Sequence, residues 1–210
     1  MHPPALQRAL ALPSRDQLAA KLKSHPPLEL LLTADDQEKQ LANAKLPLKP
    51  AAVLLLIVNH ADGPAVVFTQ RTAHLSDHAG QISFPGGRCD TDDCDAVATA
   101  LREAEEEVGI MPARVQVLGQ LPEYKTVTGY AVTPVVGWAE PPLAYIPDPR
   151  EVDDVFEVPL GFLLDPRNHR LESALFKGRM RNYWAVPYGE RFIWGATAGM
   201  LVTFQRIVAS

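Results

Sequence analysis

Glu103, Glu106 and Glu107 offer the clearest chemistry in this sequence. Their spacing of three and four collects side chains on one side of a helix. Like charges so placed cost an isolated helix about a few tenths of a kcal/mol per pair. Arg102 is the one cation between Arg88 and Val108, so the cluster calls for a further positive partner. A set of carboxylate oxygens suits a hard divalent ion such as Mg²⁺ or Mn²⁺, which keeps water ligands and bridges to phosphate. The competing reading is an acidic helix face held in water.

The elements that must position these groups run from Gly80 to Ile110, GQISFPGGRCDTDDCDAVATALREAEEEVGI. The pattern predicts a short strand, a Pro-Gly-Gly turn, an acidic loop and a helix. Val97, Leu101, Ala104 and Val108 make an apolar stripe at intervals of 4, 3 and 4. At ~100° per residue the three glutamates fall on roughly the opposite side. Gly109 ends the helix. Gly86 and Gly87 let backbone come close to a metal or a phosphate, where a Cβ would obstruct. Asp90 to Asp95 lacks the central glycine and final glutamate of a calcium loop, and its aspartates suit a helix N-terminus.

Other groups are weaker candidates. Arg71 ends a predicted strand, and its guanidinium can pair bidentately with a phosphate or lie on the surface. Glu151, on a polar loop, is a candidate base or metal ligand. His74 and His78 are four apart with no evident third ligand, and read as polar or pocket-lining residues. Trp138, Trp184 and Trp194 read as core. Cys89 and Cys94 read as loop cysteines, since a lone C-x4-C is a poor zinc site.

The helix sequence with its upstream glycines resembles the Nudix box, G-x5-E-x7-R-E-U-x-E-E-x-G-U. Arg102, Glu103, Glu106, Glu107, Gly109 and Ile110 match its second half, with Ala104 at the first aliphatic position. The first half fits with one extra loop residue, which puts Gly87 at the glycine and Asp93 in place of the first glutamate. Phe68 to Gly87, FTQRTAHLSDHAGQISFPGG, resembles the signature of the coenzyme A pyrophosphatase branch of that family. Thr69, Arg71, Gly80 and Phe84-Pro85-Gly86-Gly87 match; Ser76 stands where the branch has a second arginine. Later stretches, 127–137, 151–160 and 193–201, also look like this branch.

The resemblance implies an α/β fold, an α/β/α sandwich with a mixed β-sheet, over residues 46–210. It implies Mg²⁺ or Mn²⁺ held by Glu103 and Glu107 with Glu106 assisting. Arg102, Glu103 and Glu106 would serve the catalytic step, and Arg71, Gly86 and Gly87 would face the substrate's phosphates. Arg102 would orient a helix glutamate, and the base would be Glu103 or Glu151. The substrate implied is CoA or an acyl-CoA, cleaved to 3′,5′-ADP and (acyl-)4′-phosphopantetheine. The alternatives are another nucleoside diphosphate derivative (ADP-ribose, a dinucleotide, an oxidised nucleotide) and a non-catalytic nucleotide-binding module.

The remaining chain is consistent with a soluble cytoplasmic domain. Of 210 residues, 47% are apolar and 21% charged, and the net charge of −5 argues against coating nucleic acid. No apolar run approaches ~20 residues, so no membrane span is expected. Residues 1–45 lie outside the resemblance and read as a packing arm or part of a homodimer contact. Ser14 is expected to cap a helix over Arg15–Lys23, and Ala34–Ala44 to be partly helical. Strands are expected at 51–58, 65–71, 81–84, 115–121, 130–138 and 152–158. Pro134 would need an edge or bulge position. Residues 160–164 read as a helical turn, 171–176 and 180–186 as a hairpin, and 194–207 as a closing helix.

Overall fold

The computed structural model describes residues 12–24, 47–73, 80–126, 128–176 and 179–210. The stretch 34–44 and the residues His74, Ser76 and His78 lie outside them. The described elements are α1 (Arg15–Lys23), β1 (Lys49–His60), β2 (Gly63–Arg71), β3 (Ile82–Ser83), β4 (Gly86–Arg88), α2 (Ala96–Val108), β5 (Gln116–Gln120), β6 (Tyr124–Lys125) and β7 (Tyr130–Ala139). They continue with β8 (Val152–Pro159), α3 (Leu160–Leu163), β9 (Arg170–Phe176), β10 (Arg179–Tyr188), β11 (Arg191–Trp194) and α4 (Gly195–Ala209).

The fold is organised by β1, whose residues Leu54 to Val58 are wholly inaccessible to water. Burying each such side chain contributes roughly 1.5–3 kcal/mol before entropy is counted. A strand alternates its faces, and β1 divides accordingly. Ala51, Leu55 and Ile57 join the core beneath α4 and α1, whereas Ala52, Leu54, Leu56 and Val58 join the core beneath α2. The sheet runs β3-β2-β1-β7-β5, with β4 on β1, β6 on β7 and β8 on β2. β1 pairs in parallel with β7 and antiparallel with β2 and β4, so the sheet is mixed, with helices on both faces. A second antiparallel sheet, β11-β10-β9, packs beside α4.

The expected α1 forms where its cap predicts. Ser14 accepts from the Gln17 amide and Gln17 reaches back to the Ser14 amide, closing a capping box. Leu18 and Leu22 bury this helix in the same core as α4.

Pro134 departs from the expectation of an edge or simple bulge, because β7 is an inner strand with β1 on one side and β5 and β6 on the other. The Pro134 carbonyl accepts from the Leu121 amide at 2.8 Å. The ring nitrogen therefore faces the same edge, where pairing passes from β5 (Gln120↔Val135) to β6 (Tyr124↔Val132). The missing N–H falls in that break and costs no ladder bond. The closing helix begins at Gly195, with Trp194 as its N-cap at the end of the unexpected strand β11.

Candidate active site

α2 carries the acidic cluster on a helix defined at both ends. Asp95 caps its start, accepting from the Ala98 amide at 2.8 Å. Gly109 ends it in the left-handed region (φ 73°), and the Gly109 and Ile110 amides donate to the carbonyls of Glu105 and Ala104. The segment before β8 then lies along the helix terminus. The Ile146 amide donates to the Val108 carbonyl and the Asp148 amide to the Glu107 carbonyl, both at 2.9 Å. The Glu151 carbonyl accepts from the Thr72 amide at 3.0 Å, which brings this loop to the end of β2.

The glutamates do not share one solvent face opposite the apolar stripe. Ala100, Ala104 and Val108 are buried together with Glu107, whose side chain is 4% exposed, while Glu106 is 60% exposed. The helical angles explain this: Glu107 sits about 60° from Ala104, beside the stripe and not across from it. Its carboxylate is satisfied locally. Oε2 accepts from the Gly86 amide at 3.0 Å, and Oε1 accepts from Arg71 Nη1 at 3.4 Å. Burial pushes the Glu107 carboxyl up to about 7, against the downward pull of Gly86 and Arg71, with Glu103 and Glu151 adding to the rise. Burial likewise raises Glu103, opposed by Arg102.

Gly86 and Gly87 are held on β1, paired with Val53 and Ala52. An added Cβ at Gly87 would stand 2.6 Å from the Glu103 carboxylate, so this glycine clears the space that Glu103 fills. Arg71 bridges the cluster: besides Glu107 it faces Glu151 at 3.9 Å. The loop carboxylate and the helix carboxylates therefore meet at one guanidinium.

Arg102 lies on the other flank. Its Nε and Nη2 form a fork on Asp93 at 3.0 and 2.9 Å, while Nη1 reaches Glu103 at 3.0 Å and Glu106 at 2.9 Å. The Arg88 carbonyl accepts a further bond from Nη2 at 3.2 Å. The pair with Arg102 holds the Asp93 carboxyl well below the usual range, and Asp93 also accepts from the Asp90 amide and the Thr99 hydroxyl. Arg102→Lys keeps the charge and loses the fork. Its kcat is expected to fall roughly 10- to 100-fold through misplaced Glu103. The check is steady-state kinetics beside a melting curve; unchanged kcat would remove Arg102 from the positioning of Glu103.

The donor chemistry fits a hard divalent ion. The site offers carboxylate oxygens, two of whose carboxyls are raised by burial, beside a glycine pair that clears room. Among the described residues, no three acidic, histidine or cysteine side chains already stand positioned around one point.

The structure thus brings Arg71, Gly86, Gly87, Glu103 and Glu107 together, with Arg102 and Glu106 on the outer flank. Glu151, the loop candidate, joins them. Cys89 and Cys94 are free loop thiols, as expected. Trp138 is core, but Trp194 departs from that expectation and is 41% exposed. The alternation in Arg191-Phe192-Ile193-Trp194, with Ile193 buried, was the available signal. Among the described residues, no helix is long and apolar enough to cross a membrane.

Comparison with known proteins gives the family. A family model described as the NUDIX domain matches residues 48–176, more than half of the chain. "Uncharacterized Nudix hydrolase NudL" from Escherichia coli (strain K12 / DH10B) is 46% identical over 153 residues, covering 73% of this chain and 79% of the relative. The protein of that name from Shigella boydii serotype 18 is 45% identical over the same length and shares. Among solved structures, RenU, a Nudix hydrolase from M. smegmatis, is 27% identical with a TM-score of 0.46, over 53% of this chain and 70% of that one. The NUDIX domain of Shewanella oneidensis NrtR, solved with ADP ribose, is 24% identical with a TM-score of 0.44, over 63% and 87%. On the family model and the curated relatives, with the R-E-x-x-E-E helix folded as described, the chain belongs to the Nudix hydrolase family.

Proposed function

We propose that this protein hydrolyses the pyrophosphate bond of CoA or an acyl-CoA, giving 3′,5′-ADP and (acyl-)4′-phosphopantetheine, with Mg²⁺ or Mn²⁺. One observation carries the reading. Arg71 and Gly86, both from the upstream CoA-type motif, contact Glu107 of the Nudix helix, so the two motifs build one site.

Glu103 and Glu107 are the ligands assigned to the ion, with Glu106 at the solvent side. A bound divalent ion neutralises phosphate charge and lowers the pKa of water. The chain's own groups do the rest. Arg71 and the Gly86-Gly87 backbone face the phosphates, and Arg102 fixes Glu103. In the reaction, water adds its oxygen to one phosphorus and the bridging P–O bond breaks. The water proton passes to Glu103 or Glu151, and the second phosphate departs. Glu103 is half-buried and Glu151 exposed, and both belong to the same carboxylate cluster.

The second reading, another nucleoside diphosphate derivative, is favoured by Ser76, a hydroxyl where the branch has a guanidinium for phosphate. Product analysis separates the two. Purified protein is incubated with CoA and Mg²⁺, and 3′,5′-ADP and 4′-phosphopantetheine are sought by mass spectrometry. Both products are expected, formed about 10²- to 10³-fold more slowly with Glu107→Gln. Cleavage of ADP-ribose or a dinucleotide with CoA left intact would overturn the CoA assignment and keep the mechanism.

A further inference from the structure

Asp148-Pro149-Arg150-Glu151 carries turn signals in its sequence, since aspartate at the first position and proline at the second suit a β-turn. The structure closes that turn from several sides. The Asp148 carbonyl accepts from the Glu151 amide at 3.0 Å and from the Val152 amide at 2.9 Å. The Asp148 carboxylate accepts from the Arg150 amide at 2.9 Å and from its guanidinium at 2.6 Å. An aspartate bonded to the backbone two residues on holds a turn from within. In the other direction, the Asp148 amide donates to the Glu107 carbonyl at 2.9 Å. One residue thus joins the backbone of the helix glutamate Glu107 to that of the loop glutamate Glu151.

The end of β2 holds Glu151 from its far side. Buried Thr72 donates its amide to the Glu151 carbonyl at 3.0 Å and its hydroxyl to the Arg150 carbonyl at 3.4 Å. The preceding residue, Arg71, faces both carboxylates, Glu107 at 3.4 Å and Glu151 at 3.9 Å. The Glu151 side chain is 50% exposed, yet its backbone amide and carbonyl are both bonded. Upstream, the Tyr145 hydroxyl donates to Glu157 of β8 at 2.5 Å, and its ring packs in the core beneath α2. The segment from Tyr145 to Val152 is therefore tied to α2, β2 and β8.

The Asp148 carboxylate adds little to overall stability. Arg150 is 86% exposed, and an ion pair so open to water is worth little. What the carboxylate fixes is local, the direction in which Glu151 leaves the turn.

We propose that Asp148 is a positioning residue of the hydrolytic site, setting Glu151 against Arg71 and in fixed relation to Glu107. The proposal rests on the reading of the α2 cluster as a hydrolytic centre in which Glu151 takes part, and not on which pyrophosphate is cleaved.

The test measures kinetics with CoA and with ADP-ribose at saturating Mg²⁺. Wild type is compared with Asp148→Ala, Asp148→Asn, Glu151→Gln and the double variant Asp148→Ala/Glu151→Gln. On whichever substrate is cleaved, Asp148→Ala is expected to lower kcat about 10- to 100-fold, with KM changed by no more than about twofold. Asparagine keeps an oxygen for the Arg150 amide, so Asp148→Asn should hold kcat within about threefold of wild type. Glu151→Gln should lower kcat about as far as Asp148→Ala, and the double variant no further than Glu151→Gln alone, because both changes remove one function. Losses that multiply in the double variant, full kcat in Asp148→Ala or Glu151→Gln, or an Asp148→Asn as slow as Asp148→Ala would overturn the proposal.

Hydrogen exchange reads the same anchor without turnover. In Asp148→Ala the amides of 150–152 should exchange at least about tenfold faster than in wild type, while those of 51–58 in β1 stay unchanged and show the fold intact. Unchanged exchange at 150–152 would also overturn the proposal. If wild type cleaves neither substrate, the hydrolytic reading fails, and the anchor stands or falls on the exchange alone.

Discussion

Glu107→Gln is expected to lower kcat by about 10²- to 10³-fold and, in metal-free protein, to raise stability at alkaline pH. The two effects share one cause. Glu107 is buried, and its carboxyl titrates near 7 in the fold against 4.5 ordinarily. The folded state therefore holds the proton more tightly than the unfolded chain. That contribution to stability is fully present below pH 4.5 and is lost as pH rises through about 7. The loss is on the order of 3 kcal/mol, and the 4% exposure leaves little solvent to screen it. Glutamine has the same shape, still accepts from the Gly86 amide and never ionises. Melting curves in EDTA should show wild type and variant similar at pH 5 and the variant ahead at pH 8. Mg²⁺ should restore wild type and leave the variant unmoved. Near wild-type turnover of Glu107→Gln at saturating Mg²⁺ would remove Glu107 from the metal site.

Gly87→Ala is the second large effect, an expected fall in kcat of about 10²-fold with the fold retained. The new methyl carbon would meet Cδ, Oε1 and Oε2 of Glu103 at 2.6 Å, so the carboxylate must retreat by about 1 Å to reach ordinary contact. A displacement of that size at a reacting centre is enough for such a loss. Gly86 is a different case. Its φ is 152° and a Cβ would stand 2.4 Å from the Ala52 carbonyl, so its backbone strain and clash fall on the β1–β4 pairing itself. The check on Gly87→Ala is kcat beside circular dichroism. Full activity with an intact spectrum would show that the Glu103 position over Gly87 is not the reactive one.

Local signals made much of this site legible. Asp95, the R-E-x-x-E-E run and Gly109 specify α2, because caps and helical spacing act over a few residues. The Gly86-Gly87 pair announced a close approach, and the structure shows what approaches: Glu107 at the Gly86 amide and Glu103 over Gly87. What spacing could not reveal was depth. Whether Glu107 faces water or the sheet depends on β1 lying beneath α2, a contact between distant parts of the chain. Asp93 as the seat of the Arg102 fork required the loop's path, not its composition. The exposure of Trp194 escapes the sequence for a related reason: a hydrophobicity count treats every tryptophan as core.

β1 and β7 align in parallel from Lys49↔Tyr130 to Val58↔Ala139, partners 81 residues apart in the chain. Arg71, Gly86, Gly87 and all of α2 are synthesised between them. A growing polypeptide therefore carries every residue of the family signature before the central strand has its parallel neighbour. Closing a loop of that length costs chain entropy before any pairing repays it. Completion of the sheet beneath the site therefore waits on the chain beyond Tyr130, and a nascent chain ending before Tyr130 bears the complete signature on an unfinished sheet.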